Sequence, residues 1–206
     1  MVKLNAEKDT LTAARYRVKS YPTIMVLKKD GTEIDRVVGY YRARPFMDQV
    51  EDYLAGRNTL ASYAAMEPDS GTNPGYIGRL AERYLYHGLY DEARTRYKKL
   101  VAMDPKNRSG LVDDALYSLA RMSRKDKDYA SDRNYAQQII DRYPDSDMYK
   151  AAILEKAGAL RRDDKLAQAR SVYLDYAKRF PSDEDAPWAR EQADTLNVRI
   201  QRGEGA

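Results

Sequence analysis

Residues 80–105 read LAERYLYHGLYDEARTRYKKLVAMDP, and the spacing inside this stretch decides most of the fold. Small residues stand at Ala81 and Ala93, an aromatic at Tyr97, a glycine at Gly88 and a proline at Pro105. The stretch reads as two helices joined by a tight turn at His87-Gly88. Small residues let the two helices approach closely, and the aromatic fills the gap beside them. The proline, which lacks a backbone N–H and clashes with the preceding turn, stops the second helix.

The pattern returns twice when the chain is aligned on Pro105, Pro144 and Pro181. An alanine lies 24 residues before each proline, at Ala81, Ala120 and Ala157. Twelve before stand Ala93, Asp132 and Ala169, and eight before stand Tyr97, Ala136 and Tyr173. Such a run predicts an all-α helical-hairpin solenoid over 76–206, with hairpins ending near 105, 144 and 181. The second copy is degenerate, because Asp132 takes the place of a small residue and Arg124 to Asp128 makes a highly charged turn. Ala186 to Ile200 reads as a terminal capping helix, with Ala189, Ala193, Leu196 and Ile200 turned to the last hairpin. Pro187 suits its first turn, and Trp188 reads as a packing residue.

Spacing and residue types resemble the tetratricopeptide repeat, although the prolines stand 39 and 37 residues apart against the usual period of about 34. The junction Tyr143-Pro144-Asp145-Ser146 looks like one found in bacterial repeats of this class. The resemblance implies a groove that binds a protein or peptide through the first helix of each hairpin. It places Glu82, Tyr117, Arg121, Leu154 and Arg161 in that groove. These five are not the Lys/Asn set with which some members clamp a C-terminal carboxylate.

The first third has another character. Val2 to Asn5 is short and β-prone, and Asp9 to Tyr16 reads as helix. Thr23-Ile24-Met25-Val26-Leu27 is too short for a helix and fits a buried strand. Lys28-Lys29-Asp30-Gly31 is a hairpin signal, since Asp-Gly supplies the positive φ that a tight turn needs. A strand over Glu33 to Val38 and a helix from about Arg44 to Leu54 follow, the helix with Phe46, Val50 and Leu54 on one stripe. The run from Tyr16 to Gly31, with Tyr21-Pro22 before the central strand, and then Arg36-Val37-Val38-Gly39, resembles the second half of a thioredoxin-like domain. The resemblance implies a cis Tyr21-Pro22 bond and makes Tyr21 and Pro22 a candidate peptide site. The expected organisation is a partial thioredoxin-like unit over 1–57, a turn-rich linker over 58–75 and the helical region after it, a multi-part α+β chain.

Composition narrows the function. The 206 residues are 43% apolar and 33% charged, a globular and well-solvated balance. The net charge is only +4, from 36 basic and 32 acidic side chains, and no basic stripe with interleaved aromatics points to nucleic acid. There are no cysteines, which removes disulfides, thiolate metal sites and cysteine nucleophiles. Thioredoxin-type chemistry needs a Cys-x-x-Cys pair that this chain lacks. No apolar run approaches the 20 or so residues of a membrane span.

The lone histidine, His87, reads as a surface turn residue, and Asp113-Asp114 and Asp163-Asp164 as solvated helix caps or turns. No phosphate loop, metal-ligand spacing or nucleophile elbow appears. The 18 tyrosines read mainly as packing positions with a polar handle. The expectation is a non-enzymatic, cofactor-free and metal-free interaction scaffold whose partner is a protein or peptide. A homodimer through the exposed N-terminal strand edge at Val2–Asn5 is also expected. The alternative is a truncated thiol–disulfide oxidoreductase or redox-linked chaperone, with its Cys-x-x-Cys segment upstream. The compartment is open between bacterial cytoplasm and periplasm.

Overall fold

The computed structural model describes residues 2–205. The protein is mostly helical, with one small antiparallel sheet of two strands among the described residues. It divides into two compact units, Met1–Met103 and Asp104–Ala206.

The first unit opens with α1 (Thr10–Arg15), whose N-terminus is capped by Asp9 accepting from the Thr12 N–H at 3.0 Å. Strands β1 (Thr23–Leu27) and β2 (Glu33–Val38) then form a hairpin, with Thr23 opposite Val38 and a bulge between Val26 and Leu27. Asp30 Oδ1 accepts from the Thr32 N–H at 2.8 Å, and Gly31 takes φ 84°, so the turn forms as Asp-Gly predicts. The Tyr21-Pro22 bond is cis, as the resemblance implies.

Val2–Asn5 is not a strand. A strand persists only where its N–H and C=O groups are paired, and no third strand lies beside it among the described residues. The expected dimer edge at Val2–Asn5 is therefore not present as a strand. In the described residues β1 and β2 pair only with each other, so each leaves one sheet edge open.

Helix α2 (Ala43–Leu54) turns Tyr53 inward rather than Leu54, which is exposed. The Tyr53 hydroxyl donates to the Arg36 carbonyl at 3.2 Å, so its buried polar end is satisfied.

The stretch expected to be a linker contains α3 (Leu60–Ser70). Thr59 caps it by accepting from the Ser62 N–H at 3.0 Å, and Pro68 falls in its last turn, where one lost hydrogen bond is tolerated. Arg96 holds Glu67 of this helix at 2.8 Å. The division between the compact units falls after Met103.

Helices α4 (Pro74–Tyr86) and α5 (Tyr90–Met103) form the first hairpin. In the second unit, α6 (Val112–Lys125) pairs with α7 (Tyr129–Arg142), and α8 (Met148–Arg162) with α9 (Leu166–Arg179). Helix α10 (Ala186–Gln201) packs on α9. Ala81, Ala120, Ala157, Ala93 and Ala169 are fully buried, as close helix approach requires. Each second helix ends two residues before its proline. The turns also share a conformation, for Gly88, Lys127 and Asp164 all have positive φ (69°, 62° and 56°) at the same offset from the proline. At Gly88 glycine is required twice over, because a Cβ would stand 3.2 Å from the Arg17 carbonyl oxygen. Tyr149, Tyr173 and Tyr176 anchor the core of the second unit against Leu160, Leu166 and Leu196.

Candidate binding cleft

Helix α8 runs through the second unit with α6, α7 and α9 packed around it. Beside it lies a cleft of about 390 Å³. Three of the five residues expected in the groove, Tyr117, Leu154 and Arg161, line this one cleft. Arg121 is exposed on α6 and does not line it. Glu82 belongs to the first unit, where it is exposed and accepts from the Tyr86 hydroxyl at 2.6 Å. Trp188, read as packing, is 41% exposed on the cleft wall, held edge-on by Tyr173 with ring centroids 5.6 Å apart. Sequence reasoning passed over Arg162, which lines the cleft beside Arg161.

The floor is ionic. Arg124 Nη1 donates to both oxygens of the buried Glu155, each at 2.8 Å. Below lies Asp132, fully buried, with neither carboxyl oxygen hydrogen-bonded in the geometry. Burial first, and then the negative charge of Glu155, push its carboxyl up to about 7. Asp113 is not a solvated cap. It is buried, accepting from Asn107 Nδ2 at 2.9 Å and from the Ser146 hydroxyl at 2.5 Å. Asp163 is half-buried and ion-paired with Arg133 and Lys165, both at 2.6 Å.

The first unit holds a polar cluster that the sequence did not reveal. His87 is buried, not a surface turn residue, with Nε2 3.1 Å from Asp35 and Nδ1 3.6 Å from Glu33. Both partners are carboxylates, so the histidine bridges two acids. Arg36 is buried against Glu33 at 2.5 Å and donates to the Tyr16 carbonyl at 2.7 Å. Asp35 also accepts from the Leu60 N–H at 2.5 Å, which ties the start of α3 to the sheet.

Tyr21 is exposed, and the Pro22 carbonyl accepts from the Gly39 N–H at 2.9 Å, a contact that closes the strand hairpin. This sequence has no cysteine to set a thiol beside Pro22. No group of three or more potential metal-ligating side chains occurs among the described residues. Among them, no helix is long and apolar enough to cross a membrane.

The fold defines a mostly helical α+β protein. No family model matches the chain. It is 35% identical over 54 residues to a thioredoxin of Staphylococcus saprophyticus, a match covering 26% of this chain and 51% of that protein. The chain thus spans about half the length of the curated relative it matches.

Proposed function

We propose that this chain is a non-catalytic protein-interaction module with tetratricopeptide-like hairpins, binding a peptide in the cleft along α8. The observation that supports this reading is that Tyr117, Leu154 and Arg161, three of the five positions the repeat resemblance implies, line one cleft with Trp188. A half-exposed indole and a leucine offer apolar area, and the guanidinium offers direction, the usual division of labour in a peptide site. Peptides selected from a displayed random library on the full chain are expected to lose binding on Leu154→Arg, with the far-UV spectrum unchanged. Selected peptides that bind the variant as well as the parent would place the site elsewhere and defeat the reading.

A second reading rests on the thioredoxin match. In it the exposed Tyr21 and cis Pro22 belong to a thiol–disulfide oxidoreductase whose nucleophile is supplied by a longer protein. Thiolate attack is the chemical step, and this sequence holds no thiol to perform it. In-frame Cys-x-x-Cys codons upstream of Met1 would favour this reading, and a stop codon there would remove it.

A further inference from the structure

Resting on the peptide-cleft reading, we propose that the cleft selects acidic peptides. A side-chain carboxylate sits against Arg161 and Arg162, and an apolar neighbour packs on Leu154 and Trp188. The charges of the lining decide the sign. Arg124 is already engaged by Glu155 through both carboxylate oxygens. Arg161 is not matched in this way. Its Nη1 reaches the Gln192 side-chain oxygen only at 3.5 Å, and its Nε is buried without a hydrogen-bond partner. Arg162 has no hydrogen bond or ion pair among the described residues, and the lining acid without an ion pair there is Asp185. Two unmatched guanidiniums therefore face one unmatched carboxylate.

Both arginines also end α8, where cations offset the helix dipole. Arg162 is solvent-exposed, yet its head stays close to the helix. A Cβ added to Gly158, one turn back on the same helix, would come within 2.9 Å of Arg162 Nη1, so its head folds along α8 into the cleft. The half-buried Arg161 and the exposed Arg162 beside it present open forks, which a carboxylate matches in geometry by accepting two parallel hydrogen bonds. Trp188, steadied by Tyr173, supplies the neighbouring apolar face.

The test is fluorescence anisotropy on the full chain. The probes are a fluorescein-labelled octapeptide with two adjacent aspartates flanked by leucines, and its asparagine and lysine counterparts. The aspartate peptide is expected to bind about tenfold or more tightly than the asparagine peptide. The margin should shrink as salt rises from about 50 to 300 mM. The double variant R161Q/R162Q should lose the margin and keep the asparagine peptide's affinity. The charge-conserving R161K/R162K, which loses the fork, should keep only part of the margin, and an unchanged asparagine-peptide affinity in both variants guards against a folding defect. Equal affinities for the aspartate and asparagine peptides would overturn acidic selectivity and leave the peptide-cleft reading in place. Library-selected peptides that bind through Leu154, while none of these three does, would likewise overturn the selectivity alone. If no peptide of any charge depends on Leu154, both fall.

Discussion

Asp35→Ala is expected to destabilise the first unit by about 3–5 kcal/mol, the range for breaking a buried ionic cluster by removing one partner. Asp35 is fully buried and accepts from the backbone N–H of Leu60, from that of Arg36 at 2.7 Å, and from His87. Arg83 stands 3.6 Å away. The substitution leaves a buried imidazole and two backbone N–H groups without this acceptor, and removes the carboxylate facing Arg83. Far-UV circular dichroism in urea reads the loss. The Trp188 fluorescence, which reports the other unit, should hardly move. An unchanged urea midpoint by both probes would show that the cluster contributes nothing.

The same acid sets a pH response. Burial pushes the Asp35 carboxyl up, but the hydrogen bonds from His87, Arg36 and Leu60 outweigh burial and hold it below the ordinary range. A carboxyl whose folded value is depressed adds stability above its unfolded value of about 3.9, and that stability is lost as pH falls through the folded value. Acid loss of the first unit should be blunted in Asp35→Asn.

Asp132 behaves in the opposite sense, and Asp132→Asn is the second large expected effect. Its carboxyl is raised to about 7 in the folded chain. The groups acting on it are Glu155 and Arg162 from α8, and Arg124 and Tyr117 from α6. Between the unfolded value of about 3.9 and the folded one, the native state binds the extra proton, so stability is full at low pH and falls as pH rises toward 7. The second unit should lose roughly 2–4 kcal/mol between pH 4 and 8 by Trp188 fluorescence in urea. Asp132→Asn should flatten the slope and be more stable than the parent at pH 8. Asp132→Ala, which restores the residue type of the other two hairpins, should act likewise. A flat profile in the parent would mean that the aspartate is ionised without penalty, and the assignment would be wrong.

The hairpins were legible because their marks are local. Pro105, Pro144 and Pro181 end helices by their own covalent geometry, and alanines at fixed spacing need no knowledge of the partner helix. The strand hairpin was legible at Asp30-Gly31 for the same reason. Val2–Asn5 misled because β-prone residues make a strand only when another strand pairs with them. Helix α3 was hidden by Pro68, Asp69 and Ser70, turn formers that occupy its last turn. His87 and Asp35 lie 52 residues apart, and nothing local marks a polar residue as buried when its partner is that distant. Of the positions the repeat resemblance implied, Tyr117, Leu154 and Arg161 line the cleft. The resemblance missed Arg162, whose placement depends on the missing side chain at Gly158.

The bond between His87 and Asp35 bears on how such a chain is inherited. The first helical hairpin carries a buried histidine whose acids sit on a strand from a stretch of different sequence character, and Arg36 also donates to the Tyr86 carbonyl at the end of α4 at 3.4 Å. Duplicated elsewhere in the chain, that hairpin would bring a histidine with no acids to meet it. Recombination that joined a different hairpin to the strands would strand Asp35 and Arg36 in the same way. This hairpin and the strands before it are therefore expected to descend together.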